Sequence, residues 1–141
     1  MRYRTLCLLI LLATVIQSDP IAFRTILDCD ASIAYYCGYM MIYEVDHPTY
    51  HDKVKDDYFC TFEKKRDCTF PPMRVGGDGS PTYEFSYILT HNCTTDGKVR
   101  CVKPRDLSYA PVNGEHTVEF YAPIFNQGAD GECRHPNSQN P

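Results

Sequence analysis

DHPTYHDKVKDDY, residues 46–58, is the stretch on which the fold class turns. Asp46 is a good N-cap and Pro48 is tolerated in a first helical turn. Tyr50, Val54 and Tyr58 fall at i, i+4 and i+8, an apolar stripe on an otherwise charged segment. The spacing predicts a short amphipathic helix whose charged residues form its solvated face. His47 and His51, also four apart, would share one side of that helix, but no third ligand accompanies them and they read as surface histidines.

Around this segment the signals are those of strands. SIAYYCGYMMIY (residues 32–43) is dense in aromatic and β-branched residues and reads as strand or hairpin. TYEFSYIL (82–89) and HTVEFYAPIF (116–125) are further strands. CTFEKKRDC (60–68) reads as a charged loop, and the Pro- and Gly-rich PPMRVGGDGSP (71–81) as a loop leading into the strand that follows. CTTDGKVRC (93–101) carries a turn centred on Asp96-Gly97, and VKPRDLSYAPVNGE (102–115) reads as a long loop. One helix followed by several strands, without βαβ alternation, implies an α+β domain: a short helix packed on a twisted antiparallel sheet.

The N-terminus reads as an export leader. Arg2 and Arg4 precede an apolar run from Leu6 to Ile16, and Gln17-Ser18-Asp19-Pro20 supplies a polar flank with a small residue for cleavage after Ser18. That run is too short to span a bilayer, so no membrane anchor is expected. The expected organisation is a leader over 1–18, one domain over 19–133 and a flexible polar tail over 134–141. The leader would remove two bases and no acid, taking the formal charge from −4 to −6. An acidic chain is poorly suited to general phosphate-backbone binding, which rests on clustered Lys and Arg.

The eight cysteines of the full chain include Cys7, inside the leader. Without it an odd set remains: Cys29, Cys37, Cys60, Cys68, Cys93, Cys101 and Cys133. In an exported chain they read as disulfides. No C-x-x-C pair supports zinc, and neither metal nor cofactor is expected. The pairs 29/37, 60/68 and 93/101 share a spacing of eight that suits cysteines facing across a hairpin or loop. Cys133 would then need a distant partner, so one cysteine is left over. Asn92-Cys93-Thr94 is an N-glycosylation acceptor.

PTYEFSYIL (81–89) is similar to the strand bearing the glutamate base of the guanyl-specific microbial ribonucleases, with Glu84 at its position. FPP (70–72) resembles the aromatic-Pro-His step upstream, with Pro72 in place of histidine. APVNGEHTVEF (110–120) resembles the segment of the phosphate-binding arginine, with His116 in its place. NQGADGEC (126–133) resembles the closing loop, with Asn126 at the acid position. Tyr35-Tyr36-Cys37 matches the start of the RNase-like secreted effectors of powdery mildew fungi. This resemblance implies a microbial-ribonuclease-like fold with a degenerate site of vestigial residues Glu84, His116 and Asn126. It also implies a Cys37–Cys133 bridge, which beside the eight-residue pairs Cys60–Cys68 and Cys93–Cys101 leaves Cys29 as the free thiol; the rival assignment keeps that spacing throughout, pairing Cys29 with Cys37 and leaving Cys133 free.

A carboxylate base alone supplies no proton for the leaving alkoxide and no charge for the phosphorane, so catalysis is not expected. The expected function is then that of a secreted monomeric effector, taken up into host cells, that binds host plant proteins, including immune receptors, and RNA only weakly. Two alternatives stand beside it. One is an active endoribonuclease using Glu84 with His116 compensating; the other is a cysteine-rich secreted interaction module or inhibitor unrelated to ribonucleases, in which Glu84 is an ordinary polar residue on a strand.

Overall fold

The computed structural model describes residues 19–46, 50–76 and 79–138. The expected leader lies outside them, as does His47. Nine strands run in chain order: β1 (Ile21–Asp28), β2 (Tyr36–Asp46), β3 (Tyr50–Thr61), β4 (Lys65–Met73), β5 (Thr82–His91), β6 (Arg100–Val102), β7 (Ser108–Pro111), β8 (His116–Pro123) and β9 (Ala129–Asp130). No helix occurs among the described residues, and none is therefore long and apolar enough to cross a membrane.

The strands form two sheets. One has the order β4-β1-β8, with β1 antiparallel to β4 and parallel to β8. The other runs β3-β2-β5-β6-β9, and β7 pairs with β5 beyond the end of β6. Alternate residues of each strand turn inward. Phe23 of β1 meets Phe85 of β5 edge to face, centroids 5.0 Å apart, and Tyr87 of β5 meets Phe120 of β8 at 5.2 Å. Rings from both sheets thus close one core, which also takes in Ile21, Leu27, Ile42, Leu89 and Ile124. The architecture is a β-sandwich.

The α+β expectation is therefore wrong, and the error sits at residues 46–58. Tyr50, Val54 and Tyr58 are spaced by four, and an even spacing keeps residues on one face of a strand as well as of a helix. Pairing decides between the two. From Tyr36 to Asp46, β2 runs against Tyr50–Thr61 as one long antiparallel ladder with a single irregularity at Ile42/Tyr43. The supposed apolar stripe is not the core contact, since Tyr50 and Tyr58 are exposed and Phe59 is the buried residue of β3. The charges at Asp52, Lys53, Lys55, Asp56 and Asp57 lie on the free edge of the sheet, where they discourage pairing with another chain.

Two further segments differ from their sequence reading. The 60–68 and 71–81 loops give up Lys65–Met73 to β4, an edge strand, the place in a sheet that tolerates Pro71 and Pro72. The 102–115 loop contains β7. Residues 21–28, to which no element was assigned, form β1, the centre of the smaller sheet.

The expected disulfides are also overturned. Among the described residues the bonds are Cys29–Cys93, Cys37–Cys60 and Cys101–Cys133, and Cys68 is the free thiol. Cys37 and Cys60 are register partners across β2 and β3, Cα atoms 4.0 Å apart. Cys29 leaves β1 beside the end of β5, so its bond to Cys93 joins the two sheets. Cysteines eight apart do not face each other: Cys60 and Cys68 lie on strands of different sheets.

Candidate functional site

The three residues drawn together by the ribonuclease resemblance stand on different segments of the fold. Glu84 is half-buried on β5, opposite Tyr109 of β7. His116 opens β8 in the other sheet, its Nε2 2.8 Å from the Asn113 carbonyl, beside a shallow cleft of about 330 Å³. Asn126 follows the far end of β8, a strand of eight residues and about 23 Å. It holds a left-handed φ of 55°, and its Oδ1 accepts from the Thr95 amide at 2.9 Å. Asn126 thus pins one loop to another. Pro72 lies in β4, an edge strand of the smaller sheet. His116 and Asn126, at opposite ends of β8, do not share a centre.

The outer face of the smaller sheet is a solvated charge cluster: Arg24 pairs with Asp67 at 2.6 Å and Glu119 at 3.1 Å. The hydrogen bond from Arg24 holds the Asp67 carboxyl below the usual range. The outer face of the larger sheet is different, and its character comes from two short patterns in the sequence. Tyr35-x-Cys37-x-Tyr39 and Tyr58-x-Cys60-x-Phe62 each alternate aromatic, cysteine, aromatic. Period two puts all six side chains on one face, and the antiparallel register sets Cys37 against Cys60 and Tyr39 against Tyr58. Continuing that register brings Tyr35 to Phe62, whose ring centroids lie 4.7 Å apart. The result is a disulfide flanked by an aromatic pair on each side. Phe62 is 79% exposed, Tyr58 72% and Tyr35 50%. The Tyr39 hydroxyl donates to Asp56 Oδ2 at 3.3 Å, and burial with the neighbouring carboxylate pushes the phenol upward.

A groove of about 470 Å³ adjoins this face. One wall is Tyr39, Tyr58 and the Cys37 side of its disulfide; the other is Val99, Glu132 and Cys133; Gly38, Thr90 and Asn92 lie between. The second wall is fixed by the Cys101–Cys133 bond and by the Cys133 amide donating to Thr90 Oγ1 at 2.9 Å. Beyond it the chain continues to β3, where Asn137 brackets His51, accepting from its amide at 2.8 Å and donating to its carbonyl at 2.7 Å. Asn92 Oδ1 accepts from the Cys37 amide at 2.7 Å, so its amide group is the end offered to the groove. A Cβ on Gly38 would sit 2.6 Å from the Phe59 ring, which leaves only glycine room there.

At the inner end lies His91, 2% exposed. Its Nδ1 accepts from the Cys93 amide at 3.2 Å, which leaves Nε2 as the donor to the Gln127 carbonyl at 3.1 Å. Burial holds the ring below its ordinary pKa, with nearby Arg100 adding to the effect, so it is neutral. No group of three or more metal-ligating side chains occurs among the described residues.

Of the groove residues, the sequence reading singled out Asn92 only as a glycosylation acceptor, Cys37 and Cys133 only as disulfide partners, and Tyr58 only as part of the apolar stripe of the expected helix. The twin aromatic-x-Cys-x-aromatic patterns were the available signal. They become legible once residues 50–61 are a strand.

Fold and face together define a disulfide-stapled β-sandwich that displays exposed aromatic side chains beside a pre-formed groove. The chain belongs to the family described as Caenorhabditis elegans protein of unknown function (DUF870), whose model matches residues 24–136, a span that holds all six bonded cysteines. No curated protein and no solved structure matches it.

Proposed function

We propose that this protein is a secreted, non-catalytic binding module that recognises a partner through the outer face of β2, β3 and β5. The observation that carries this reading is the aromatic quartet around the Cys37–Cys60 bond, three of whose rings, Tyr35, Tyr58 and Phe62, are exposed. Exposed rings of this kind, held rigid and set beside a groove, are the usual anchors of a recognition surface. Three disulfides suit an oxidising, extracytoplasmic setting, in line with the basic and apolar leader expected over residues 1–18. The helix-on-sheet fold implied by the ribonuclease resemblance is not this fold, and His116 and Asn126 lie at opposite ends of β8. The interaction-module alternative is therefore the one retained.

The test compares wild type with Tyr58→Ala/Phe62→Ala for binding to cells and extracellular fluid of the source organism, alongside an RNA-cleavage assay that includes Glu84→Gln. Loss of two anchors should weaken binding by at least about 30-fold, the effect of one strong hot spot. Equal binding by the double variant, or RNA cleavage that vanishes in Glu84→Gln, would overturn the reading.

A further inference from the structure

The groove's chemistry narrows the kind of partner. Among its lining side chains the ionisable ones, apart from the two tyrosines, are Glu132 and the neutral His91; none is a lysine or arginine. The basic residues nearest in sequence to its outer wall are engaged: Lys98 lies 3.8 Å from Asp130, Arg100 lies 3.0 Å from Asp96 and 3.7 Å from Asp130, and Arg134, next to Cys133, also has an interaction partner. The groove therefore holds a carboxylate, Glu132, on one wall and the rings of Tyr39 and Tyr58 on the other. Electron-rich rings next to a carboxylate attract cations, and a planar guanidinium suits them best. It can stack on a ring and fork onto a carboxylate at once, whereas an ammonium is a compact point charge.

The same molecule already contains such an arrangement. The Arg66 guanidinium lies 4.3 Å from the centre of the Phe59 ring and is paired with Asp57 at 2.7 Å. A cation over an aromatic ring with a carboxylate at its side is thus a geometry that β3 supports. On the outer face the ring is Tyr58 and the carboxylate is Glu132, which forms no ion pair among the described residues.

We infer that the groove between the Cys37–Cys60 and Cys101–Cys133 bridges receives an arginine-bearing extended segment of a partner protein, with the guanidinium stacked on Tyr58 and paired with Glu132. This rests on the binding-face reading above and names its ligand. The disulfides on both walls hold the site in its receptive shape, so little ordering is needed on binding. The chain's formal charge of −4 favours approach of a basic partner.

Fluorescence anisotropy on the folded full domain tests this with four probes: a short glycine-flanked arginine peptide, the same peptide with lysine, the same with neutral citrulline, and a neutral β-linked oligosaccharide. The arginine peptide should bind saturably, and citrulline should weaken it by at least about 10-fold. Tyr58→Leu keeps an apolar surface but removes the ring, and should cost about 10-fold. Glu132→Gln should cost a similar factor, while Glu119→Gln, which removes the same charge from the opposite sheet, should cost nothing. Circular dichroism and disulfide content establish that each variant is folded.

Equal loss in Glu119→Gln and Glu132→Gln would reduce the effect to net charge and overturn the inference. Tighter binding of citrulline peptide or oligosaccharide would overturn it too. If no arginine peptide binds while Tyr58→Ala/Phe62→Ala still abolishes cell binding, the ligand assignment falls and the binding-face reading stands.

Discussion

Removing the Cys29–Cys93 bond should be the most damaging loss of any one disulfide in this protein. The bond closes 64 residues of chain, against 23 for Cys37–Cys60. In the chain-entropy model these closures are worth about 4.3 and about 3.4 kcal/mol. Location widens the gap. Cys29 and Cys93 are 2% and 0% exposed, so Cys29→Ala/Cys93→Ala leaves two sulfur-sized voids in a closed core, at about 1 kcal/mol each. Cys60 is exposed and Cys37 half-buried, so their replacement leaves no such void. The totals are then about 6 kcal/mol against about 3.4 kcal/mol. For a domain of this size the difference should separate the two melting temperatures by about 10 °C.

The assay is urea and thermal unfolding of both double-alanine variants, followed by circular dichroism under non-reducing conditions. Peptide mapping of the wild type should recover a Cys29–Cys93 peptide and an alkylated Cys68. Two variants melting within a degree of each other would refute the idea that the inter-sheet bond dominates. So would a greater loss in Cys37→Ala/Cys60→Ala.

Stability should also depend on pH through His91. Its folded pKa lies below the ordinary value near 6.5, because burial disfavours the charged ring. Between those values the unfolded chain binds more protons, so stability is fully present above about 6.5 and is lost as pH falls through the depressed value; pH-dependent urea titrations should show this fall, and His91→Gln should remove it. Gly128→Ala should destabilise by more than about 1 kcal/mol, since φ is 98° and a Cβ would meet the Cys101 carbonyl. Gly97→Ala, at φ 70° with open space around it, should cost less in the same melts. A glycan on Asn92 would occupy the groove that residue lines; mass spectrometry of secreted protein should find Asn92 unmodified, and a fully glycosylated yet ligand-binding protein would contradict the placement of the site.

Several elements were legible from local pattern alone. Tyr83, Phe85 and Tyr87 alternate with Glu84 and Ser86, and that period of two fixes β5 whatever it pairs with. Val118, Phe120 and Ala122 do the same for β8. The odd cysteine set correctly implied disulfides with one thiol left over, because its parity does not depend on the fold. The helix at 46–58 was not decidable this way, since residues four apart share a face in helix and strand alike. Only the ladder with β2, whose hydrogen bonds join residues distant in sequence, selects the strand.

Disulfide partners were equally out of reach. Cys37 faces Cys60 because of that register, and Cys29 reaches Cys93 because β1 and β5 lie in facing sheets. The recognition face follows from the same pairing. The sequence by itself determined which residues alternate, that cysteines would be bonded, and that aromatic-x-Cys-x-aromatic occurs twice. Tertiary structure alone decided that the two patterns meet, because the contact between them is made by backbone hydrogen bonds whose register no single segment encodes.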